Sequence, residues 1–575
     1  MKSFLKWFAG IIAVLIILFA GLIFFISWFF SSEVSVHDNS YLQINLSGPL
    51  AEYKAPDPVS EALGTADFDM KKFRECLEKA KVDDHINGVL LKIGFLQTGF
   101  AKIQEIHHLI SKFREGGKKI YAFLGPDLAL TKDYYIASAC DSIFISPTAN
   151  LFITGVHGEV TFYKDFFEKI GIQAEFLQIG KYKNAPDIYT RQSMSREQRE
   201  VLKEIIDQYY EDIVSTISDS RDLTREETET LINDKSGFSG PEALEYGLAD
   251  ACAYKSELPA KFKLHSDTPV KISETEYTRV PITSLDIRNK RKIAVINCEG
   301  TINSGGDSEQ PYFGRILGSA AAAGNIKKAA GSRFIKAIIL RINSPGGTSG
   351  ASDEIWNAVR SASKKKPVVA SLSDYAASGG YYIALAADTI IAAPNTIAGS
   401  VGIYAGKFNA AGLYDKLGLK NETIGRGQNS GLFSVLKPWT KQEKQIIQRL
   451  IQSFYVNFVE KTAEARGLSY EQADNLGRGR AWTGTAAAEN RLCDSEGYLY
   501  HAVQAAKQLA GIDPDESVRL VYYPKEKSLL TQLLNEFPAS IKLTSRNQLL
   551  EMISFLERLQ GSPLAMLPYR ISWNQ

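Results

Sequence analysis

The chain has 575 residues, of which 45% are hydrophobic, and its 66 basic side chains almost balance its 65 acidic ones. This length exceeds one ordinary domain and predicts several. The near-neutral charge provides no field that would attract nucleic acid, so we expect no nucleic-acid partner. The five cysteines are widely spaced and form no CxxC pair, so neither a disulfide framework nor a cysteine metal site is predicted.

The first predicted element is an apolar segment at residues 7–30, which contains no charged side chain. It is long enough to cross a bilayer as a helix, for which about 20 apolar residues suffice. A cleaved signal peptide is the alternative, but the apolar run is too long and no small-x-small cleavage site follows it. Lys2 and Lys6 precede the segment, whereas Glu33 and Asp38 follow it. This asymmetry predicts a cytoplasmic N-terminus and an extracytoplasmic remainder.

The rest of the chain contains an internal duplication. Residues 40–260 resemble residues 290–510 through short matches that keep the same order, such as Tyr-Tyr-Ile-Ala at 134–137 and again at 381–384. A constant order is what duplication followed by short insertions would leave, and repeats of this kind decide the architecture. The sequence therefore predicts two similar domains in tandem.

Within each half, apolar runs rich in β-branched residues alternate with helical patterns, which predicts an α/β fold with a largely parallel sheet. In the second half, the predicted elements are strands at 293–297 and 335–343, a helix at about 349–363, a strand at 368–373, a helix opening near Ser378, and a strand at 389–393. A long amphipathic helix at about 441–466 corresponds to one at about 196–219 in the first half.

The segment after about residue 515 has no counterpart in the first half. It contains amphipathic helical stretches at 529–534 and 548–559. The predicted organisation is a cytoplasmic N-terminus and anchor at 1–31, a first α/β domain at 32–285, a second at 286–512, and a helical C-terminal tail at 513–575.

Ser378 is the first candidate for chemistry. A strand ends near Ser373, small residues fill the turn that follows, and Ser378 opens a helix. Backbone N–H groups and the helix dipole favour developing negative charge at such a position. An ordinary N-cap serine is the alternative interpretation.

A glycine-rich turn at residues 341–348 also follows a strand and precedes a helix. Amides of Gly346 or Gly347, together with that of Gly379, could form an oxyanion hole for a tetrahedral intermediate. By itself this segment is more typical of a structural turn.

A serine nucleophile needs a base. The chain has seven histidines, and none lies between His265 and His501, so the core of the second half has none. Histidines of the first half, such as His157, remain alternatives. A buried lysine is the economical substitute, because desolvation lowers the pKa of its amine.

These segments resemble the signal peptide peptidase A (protease IV) family in its long form. Residues 377–382 are similar to the nucleophile turn of that family, residues 343–347 to its oxyanion turn, and residues 180–185 to the segment with its lysine base. The resemblance therefore assigns the nucleophile to Ser378 and the base to Lys183.

Two finer assignments also rest on the resemblance. Residues 399–403 match the family and imply that Ser400 orients the lysine amine, although the sequence alone favours a simple turn residue there. Lys181 is the competitor for the role of base, two positions before Lys183.

The duplication offers an independent check on the pair. Ser378 aligns with Thr131, so the first half lacks the nucleophile, and Lys183 aligns with Gln428, so the second half lacks the base. Each half keeps what the other has lost. A working site would therefore need both halves, brought together either within one chain or between neighbouring protomers.

The resemblance implies a ClpP/crotonase-like fold for both domains, a homo-oligomer for which a tetramer is suggested, and hydrophobic peptides such as signal-peptide remnants as substrates. It also implies a bacterial inner-membrane protein with a single span and periplasmic catalytic domains. No cofactor or metal is expected, since no Walker loop or HExxH motif occurs. A crotonase-like acyl-CoA enzyme and a non-catalytic membrane scaffold remain alternatives.

Overall fold

The computed structural model describes residues 35–55, 67–262, 269–285, 291–310, 314–525 and 564–566, with three isolated positions before residue 35. The predicted anchor at 7–30 and the predicted helical stretches at 529–534 and 548–559 lie outside the described residues, apart from those isolated positions. In the part of the chain that is described, no helix combines the length and apolar character needed to cross a membrane.

The first half is built around a six-stranded parallel sheet with strand order β10-β1-β2-β3-β5-β9. Three short strands, β4, β6 and β8, form a separate small sheet. The strands of this half are β1 (Ser40–Pro49), β2 (Ile86–Gln97), β3 (Lys119–Leu124), β4 (Leu128–Ala129), β5 (Ser142–Ile145), β6 (Asn150–Phe152), β7 (Gln173–Ile179), β8 (Gly237–Ser239), β9 (Ala251–Cys252) and β10 (Val270–Ser273).

Helices cover the faces of this sheet, as crossover connections between parallel strands require. They are α1 (Met70–Val82), α2 (Phe100–Arg114), α3 (Thr131–Ala137), α4 (Lys164–Ile170), α5 (Asp187–Thr190), α6 (Arg196–Arg221), α7 (Arg225–Thr230), α8 (Gly240–Glu245) and α9 (Glu274–Thr278), with a π-helical turn at Leu231–Lys235 and 3-10 turns at Lys255–Phe262 and Ile282–Leu285.

The second half repeats the plan with an eight-stranded sheet, in which β21-β19-β17-β15-β11-β23 form the main path and β18 and β22 extend from β17. Its strands are β11 (Arg291–Glu299), β12 (Thr301–Asn303), β13 (Ser308–Gln310), β14 (Gly314–Gly318), β15 (Ile335–Ser344), β16 (Gly346–Thr348), β17 (Val368–Ala377), β18 (Thr389–Ala392), β19 (Ile397–Gly399), β20 (Ile403–Asn409), β21 (Ala481–Thr483), β22 (Ser495–Glu496), β23 (Val518–Tyr523) and β24 (Leu564–Met566).

The helices of the second half are α10 (Ser319–Gly331), α11 (Ser349–Ser363), α12 (Gly379–Ala384), α13 (Ala411–Lys416), α14 (Lys441–Arg466), α15 (Tyr470–Leu476), α16 (Gly484–Glu489) and α17 (Leu499–Leu509). The paired long helices α6 and α14 both have 26 residues, both begin after a hydroxyl N-cap, and both end at a left-handed residue. These features agree with a duplicated α/β unit.

A third sheet joins the two halves. Its strand order is β13-β14-β12-β16-β24-β20-β7, and β7 is the only one of these strands from the first half. Strand β7 pairs antiparallel with β20 from Ile179↔Ile403 to Gln173↔Asn409. The chain that leaves β7 therefore emerges beside the second half.

The C-terminal tail differs from the prediction of a helical segment at 513–575. Residues Val518–Tyr523 form β23, which pairs in parallel with β11 in the second sheet, and Leu564–Met566 form β24. The sequence VRLVYY is rich in β-branched and aromatic residues, and Tyr522 and Tyr523 are buried. The second domain thus extends beyond the predicted boundary at 512, because β11 offers an edge that this segment covers.

Candidate active site

Ser378 lies at the junction of β17 and α12 in an unusual backbone conformation. Its φ is 53° and its ψ is −114°, and its amide donates to Gly399 O at 2.7 Å. A non-glycine residue with positive φ is strained, and such strain is concentrated at functional positions. The sharp turn places the buried hydroxyl beside the start of the helix rather than in the strand.

The amine of Lys183 lies next to this hydroxyl. Lys183 Nζ is 2.7 Å from Ser378 Oγ, although the two residues belong to opposite halves of the chain. The lysine is fully buried, and burial lowers its pKa from 10.5 to about 7. A substantial fraction of the amine is therefore neutral near pH 7 and able to accept a proton.

Ser400 completes the surroundings of the amine. Its Oγ lies 3.1 Å and its carbonyl oxygen 3.4 Å from Lys183 Nζ. Like Ser378, it has a positive φ, here 54°, and its amide is fixed by a bond to Arg480 O at 2.7 Å. The amine is thus directed by Ser378 on one side and Ser400 on the other.

The loop after β7 delivers Lys183 to this position. The pairing of β7 with β20 brings Ile179 to the edge of the second half, and Gly180 turns the chain with a φ of +105°. A Cβ on Gly180 would lie 2.3 Å from the carbonyl carbon of Arg478, so only glycine fits there. Tyr182 N then donates to Arg478 O at 2.9 Å, which fixes the residue next to the lysine.

The glycine-rich turn approaches the nucleophile turn from the neighbouring strand. A Cβ built on Gly379 would lie 3.1 Å from Gly347 N and 3.2 Å from Gly346 Cα, so the two turns are in contact. The Gly346 amide already donates to Ser344 Oγ at 3.2 Å. Of the three predicted oxyanion donors, Gly347 and Gly379 are therefore the better placed.

A short strand runs along the glycine-rich turn. Strand β24 pairs antiparallel with β16 in the register Gly347↔Ala565, and Leu564 is opposite Tyr404 of β20. An extended backbone therefore fits between these two strands, directly beside the candidate oxyanion donors. Addition of a strand to such an edge is a common mode of peptide recognition.

The competing residues lie elsewhere. Lys181 is exposed, and its Nζ lies 4.7 Å from the centre of the Tyr182 ring. His157 lines a cavity of about 960 Å³ between the two halves, and Ser378 is not among the residues that line it. Among the described residues, no histidine is hydrogen bonded to Ser378.

In the first half, the turn that corresponds to the nucleophile turn is occupied by the side chain of Asp133. Thr131 takes the place of Ser378, and the Asp133 carboxylate accepts from the amides of Leu130 at 2.9 Å, Phe95 at 3.1 Å and Leu96 at 3.2 Å. The Asp133 side chain thus ties the turn before Thr131 to the end of β2. Thr131 is followed by Lys132 and Asp133, so this turn also lacks the two glycines that follow Ser378.

The structure also adds residues that the sequence did not single out. Gly402 and Gly479 frame the lysine side chain, since a Cβ on Gly402 would lie 3.1 Å from Lys183 Cδ. Gly402 O lies 3.5 Å from Ser378 Oγ. These glycines occur in the short sequences Ser-Val-Gly and Arg-Gly-Arg. Their role depends on the contact with Lys183 from the other half, which neither sequence shows by itself.

Comparison with known proteins decides the family. The profile of peptidase family S49 matches residues 112–268 and 360–513, once in each half. The chain belongs to peptidase family S49. Its S49 relatives include the chloroplastic serine protease SPPA of Arabidopsis thaliana, 32% identical over 502 residues that cover 86% of this chain and 73% of the relative. Protease 4 of Haemophilus influenzae is 29% identical over 460 residues, which cover 77% of this chain and 73% of the relative.

These relatives make this S49 chain a serine peptidase, and its similarity to signal peptide peptidase A and protease IV extends over most of its length. A solved ClpP1 mutant from Listeria monocytogenes is 19% identical and covers 36% of this chain and 94% of its own. Its TM-score of 0.24 is too low to define a shared fold.

Proposed function

We propose that this S49 serine peptidase is a membrane-anchored endopeptidase with a Ser378/Lys183 dyad that cleaves extended hydrophobic peptides, including signal-peptide remnants, at the extracytoplasmic face of a bacterial inner membrane. The observation that carries the proposal is the 2.7 Å separation of Lys183 Nζ and Ser378 Oγ across the two halves. A lysine is rarely buried so completely unless its amine has a specific role, because removing its charge from water is costly.

The reaction begins with proton transfer inside the dyad. Neutral Lys183 accepts the Ser378 proton as Oγ attacks the peptide carbonyl carbon, and the amides of Gly347 and Gly379 donate to the oxyanion. The lysine ammonium then gives its proton to the departing amine as the C–N bond breaks. A water molecule activated by the same lysine hydrolyses the acyl-serine, and Ser400 holds the amine in line throughout.

The substrate binds as an additional strand. The path that β24 takes between β16 and β20 supports this mode, because it shows that a backbone fits there. Main-chain pairing is indifferent to sequence, so it suits peptides that share an extended apolar character rather than one motif. No cofactor is needed for any of these steps.

The proposed membrane anchor is supported by the uncharged segment at residues 7–30 and by the lysines that precede it. Anchoring would hold the site near peptides that remain in the bilayer after secretion.

We also propose a homo-oligomer, for which the resemblance suggests a tetramer. Large apolar side chains are exposed on the part of the molecule around β7 and β20, where soluble monomers seldom leave them. Their exposed fractions are 55% for Phe166, 63% for Leu417, 48% for Leu419 and 58% for Phe433. A second copy of the chain is the proposed cover for these side chains.

The central experiment measures cleavage of a fluorogenic hydrophobic peptide by the full chain in detergent. Ser378→Ala and Lys183→Ala should each abolish turnover, whereas Lys181→Ala, two residues from the base and exposed, should retain it. Ser400→Ala should lower kcat about tenfold to a hundredfold, as the loss of one orienting contact commonly does. Unchanged turnover in Ser378→Ala would disprove the proposed nucleophile.

A further inference from the structure

Strand β17, which leads to Ser378, is interrupted by an irregularity just before that residue. Strands β15 and β17 pair from Ile338↔Val368 to Ile342↔Leu372, and the register then jumps to Ser344↔Ala376. Residues 373–375 therefore form a bulge, which we call the nucleophile bulge. Bulges re-aim the residues that follow them and are concentrated beside active sites.

The nucleophile bulge is inserted into the first half. The buried carboxylate of Asp374 accepts from Lys102 N at 3.0 Å and lies 3.4 Å from Lys102 Nζ. Helix α2 begins after Gly99, which has no side chain to cap it, so Asp374 caps this helix from the other half. A Cβ on Gly99 would lie 2.2 Å from Asp374 Cγ, which shows how closely the carboxylate is seated.

Lys102 keeps its charge although the contact is buried, whereas burial raises the pKa of Asp374 despite the nearby charge of Lys102. Burial acts to lower the pKa of Lys102, but Asp374 and two nearby glutamates raise it above its ordinary value. Lys102 Nζ also donates to Leu50 O at 3.0 Å, so its position is fixed by the first half independently of Asp374. We call Gly99, Lys102 and the start of α2 the socket.

A second contact holds both turns of the active site from the same side. Glu52 of the first half accepts from Arg341 Nε and Nη2 at 2.9 Å each and also from the Ser373 hydroxyl. Arg341 lies on β15, which leads to the glycine-rich turn, and Ser373 belongs to the nucleophile bulge. Burial would raise the pKa of Glu52, but the charge of Arg341 and its neighbours lowers it well below the usual range.

The bulge is also linked directly to the glycine-rich turn, because Tyr375 N donates to Asn343 Oδ1 at 3.2 Å. The first half therefore holds the residues just before Ser378 in place. Through Glu52, it also holds the strand that precedes Gly347. Buried ion pairs contribute little net stability compared with apolar packing, but they define one arrangement sharply. A network of this kind at the base of both turns is suited to aligning Ser378 with Gly347.

We propose that the first half, besides supplying the lysine, acts as a positioning element for the nucleophile, with Asp374 and Glu52 as positioning residues that fix Ser378 relative to Gly347. The inference rests on the proposed Ser378/Lys183 dyad. It gives the half without a nucleophile a second task in the same reaction. The alternative is that the network merely holds the two halves together.

The test compares steady-state kinetics of full-chain variants on the fluorogenic peptide, with thermal unfolding measured in parallel. Asp374→Ala should lower kcat about tenfold to a hundredfold with KM nearly unchanged, because misplacement of a reacting group by about 1 Å has an effect of that size. Asp374→Asn keeps an acceptor for Lys102 N and should recover most of the loss. Glu52→Gln should behave like Asp374→Ala.

Two further variants separate alignment from folding. Gly99→Ala displaces the Asp374 carboxylate but leaves the ion pairs of Glu52 intact, and the φ of −74° at Gly99 suits alanine. It should lower kcat even if Asp374→Ala fails to fold. Tyr53→Phe is the matched control, because it removes a hydrogen bond between the halves, Tyr53 Oη to Pro524 O at 3.0 Å, that involves no residue of the bulge. It should lower the unfolding temperature and leave kcat unchanged.

Equal kcat in wild type, Gly99→Ala and Asp374→Ala would overturn the proposal, as would a fall in kcat for Tyr53→Phe of the same size. Ser378→Ala distinguishes this failure from failure of the dyad. If Ser378→Ala is inactive while the socket variants keep full kcat, only the positioning role is wrong. If Ser378→Ala is active, the dyad itself is wrong.

Discussion

Lys183 and Gly479 are in backbone contact, with no room for a side chain between them. A Cβ built on Gly479 would lie 2.4 Å from Lys183 N and 2.6 Å from Lys183 Cα, and Gly479 also has a φ of +82°. Its amide donates to Val401 O at 2.7 Å, next to Ser400. Lys183, the proposed base, therefore packs directly against a glycine of the opposite half.

This contact predicts the effect of Gly479→Ala. The added methyl group should push Lys183 away from Ser378 and reduce kcat/KM by about a hundredfold or more. Gly467→Ala is the matched control, because Gly467 also has a positive φ, +59°, but faces open space. That variant should lose about 1 kcal/mol of stability from strain and keep its activity. Equal activity of the two variants would contradict the role assigned to the contact.

The pH dependence of cleavage should follow the titration of Lys183. Burial lowers the pKa of this amine to about 7, and only its neutral form accepts the serine proton. We therefore expect kcat/KM to rise with pH through about 7 and then level off. A profile measured with the peptide substrate checks this, and a rise centred near the ordinary lysine pKa would contradict it.

Stability should depend on pH for the same reason. Between the folded pKa of about 7 and the unfolded value of 10.5, the unfolded chain binds a proton that the folded chain does not. Lys183 therefore makes the free energy of unfolding increase as pH rises through this window. Lys183→Met removes this contribution, so at neutral pH the variant should be more stable than wild type.

Urea unfolding at several pH values measures the effect of Lys183→Met directly. Lys181→Met is the control, because this neighbouring lysine is exposed and should leave the pH dependence as in wild type. A Lys183→Met protein whose stability has the same pH dependence as that of wild type would contradict the lowered pKa of this lysine.

Strand β24 predicts competition between the tail and the substrate. A chain that ends at residue 563 lacks this strand, whereas one that ends at residue 566 keeps it. The shorter chain should have a lower KM for the fluorogenic peptide, because the edge of β16 is then open. Identical KM values for the two truncated chains would show that β24 does not occupy the path of the substrate.

The sequence predicted the pairing of the halves from two losses, Thr131 in place of the serine and Gln428 in place of the lysine. It also predicted the order of strands and helices around Ser378, because hydrophobic periodicity and turn residues are local signals. Ser378 and Lys183 could be nominated because the resemblance supplied a pattern for each.

Other features were beyond such reasoning. Gly479 and Gly99 are needed because a backbone or a carboxylate from the other half touches them, and no local pattern records that contact. Asp374 looked like part of a small-residue turn, yet its role depends on a register jump between β15 and β17. Strand β23 was assigned to a helical tail, since the open edge of β11 that receives it is a property of the folded sheet.

The pairing of β7 with β20 determines when, during synthesis and folding, the candidate site is completed. The base is synthesised long before the nucleophile, and it reaches Ser378 only when β20 has formed and aligned with β7. A partly synthesised chain consequently lacks the contact between Lys183 and Ser378. With the proposed Ser378/Lys183 dyad, peptidase activity therefore begins only when the second half has folded against the first.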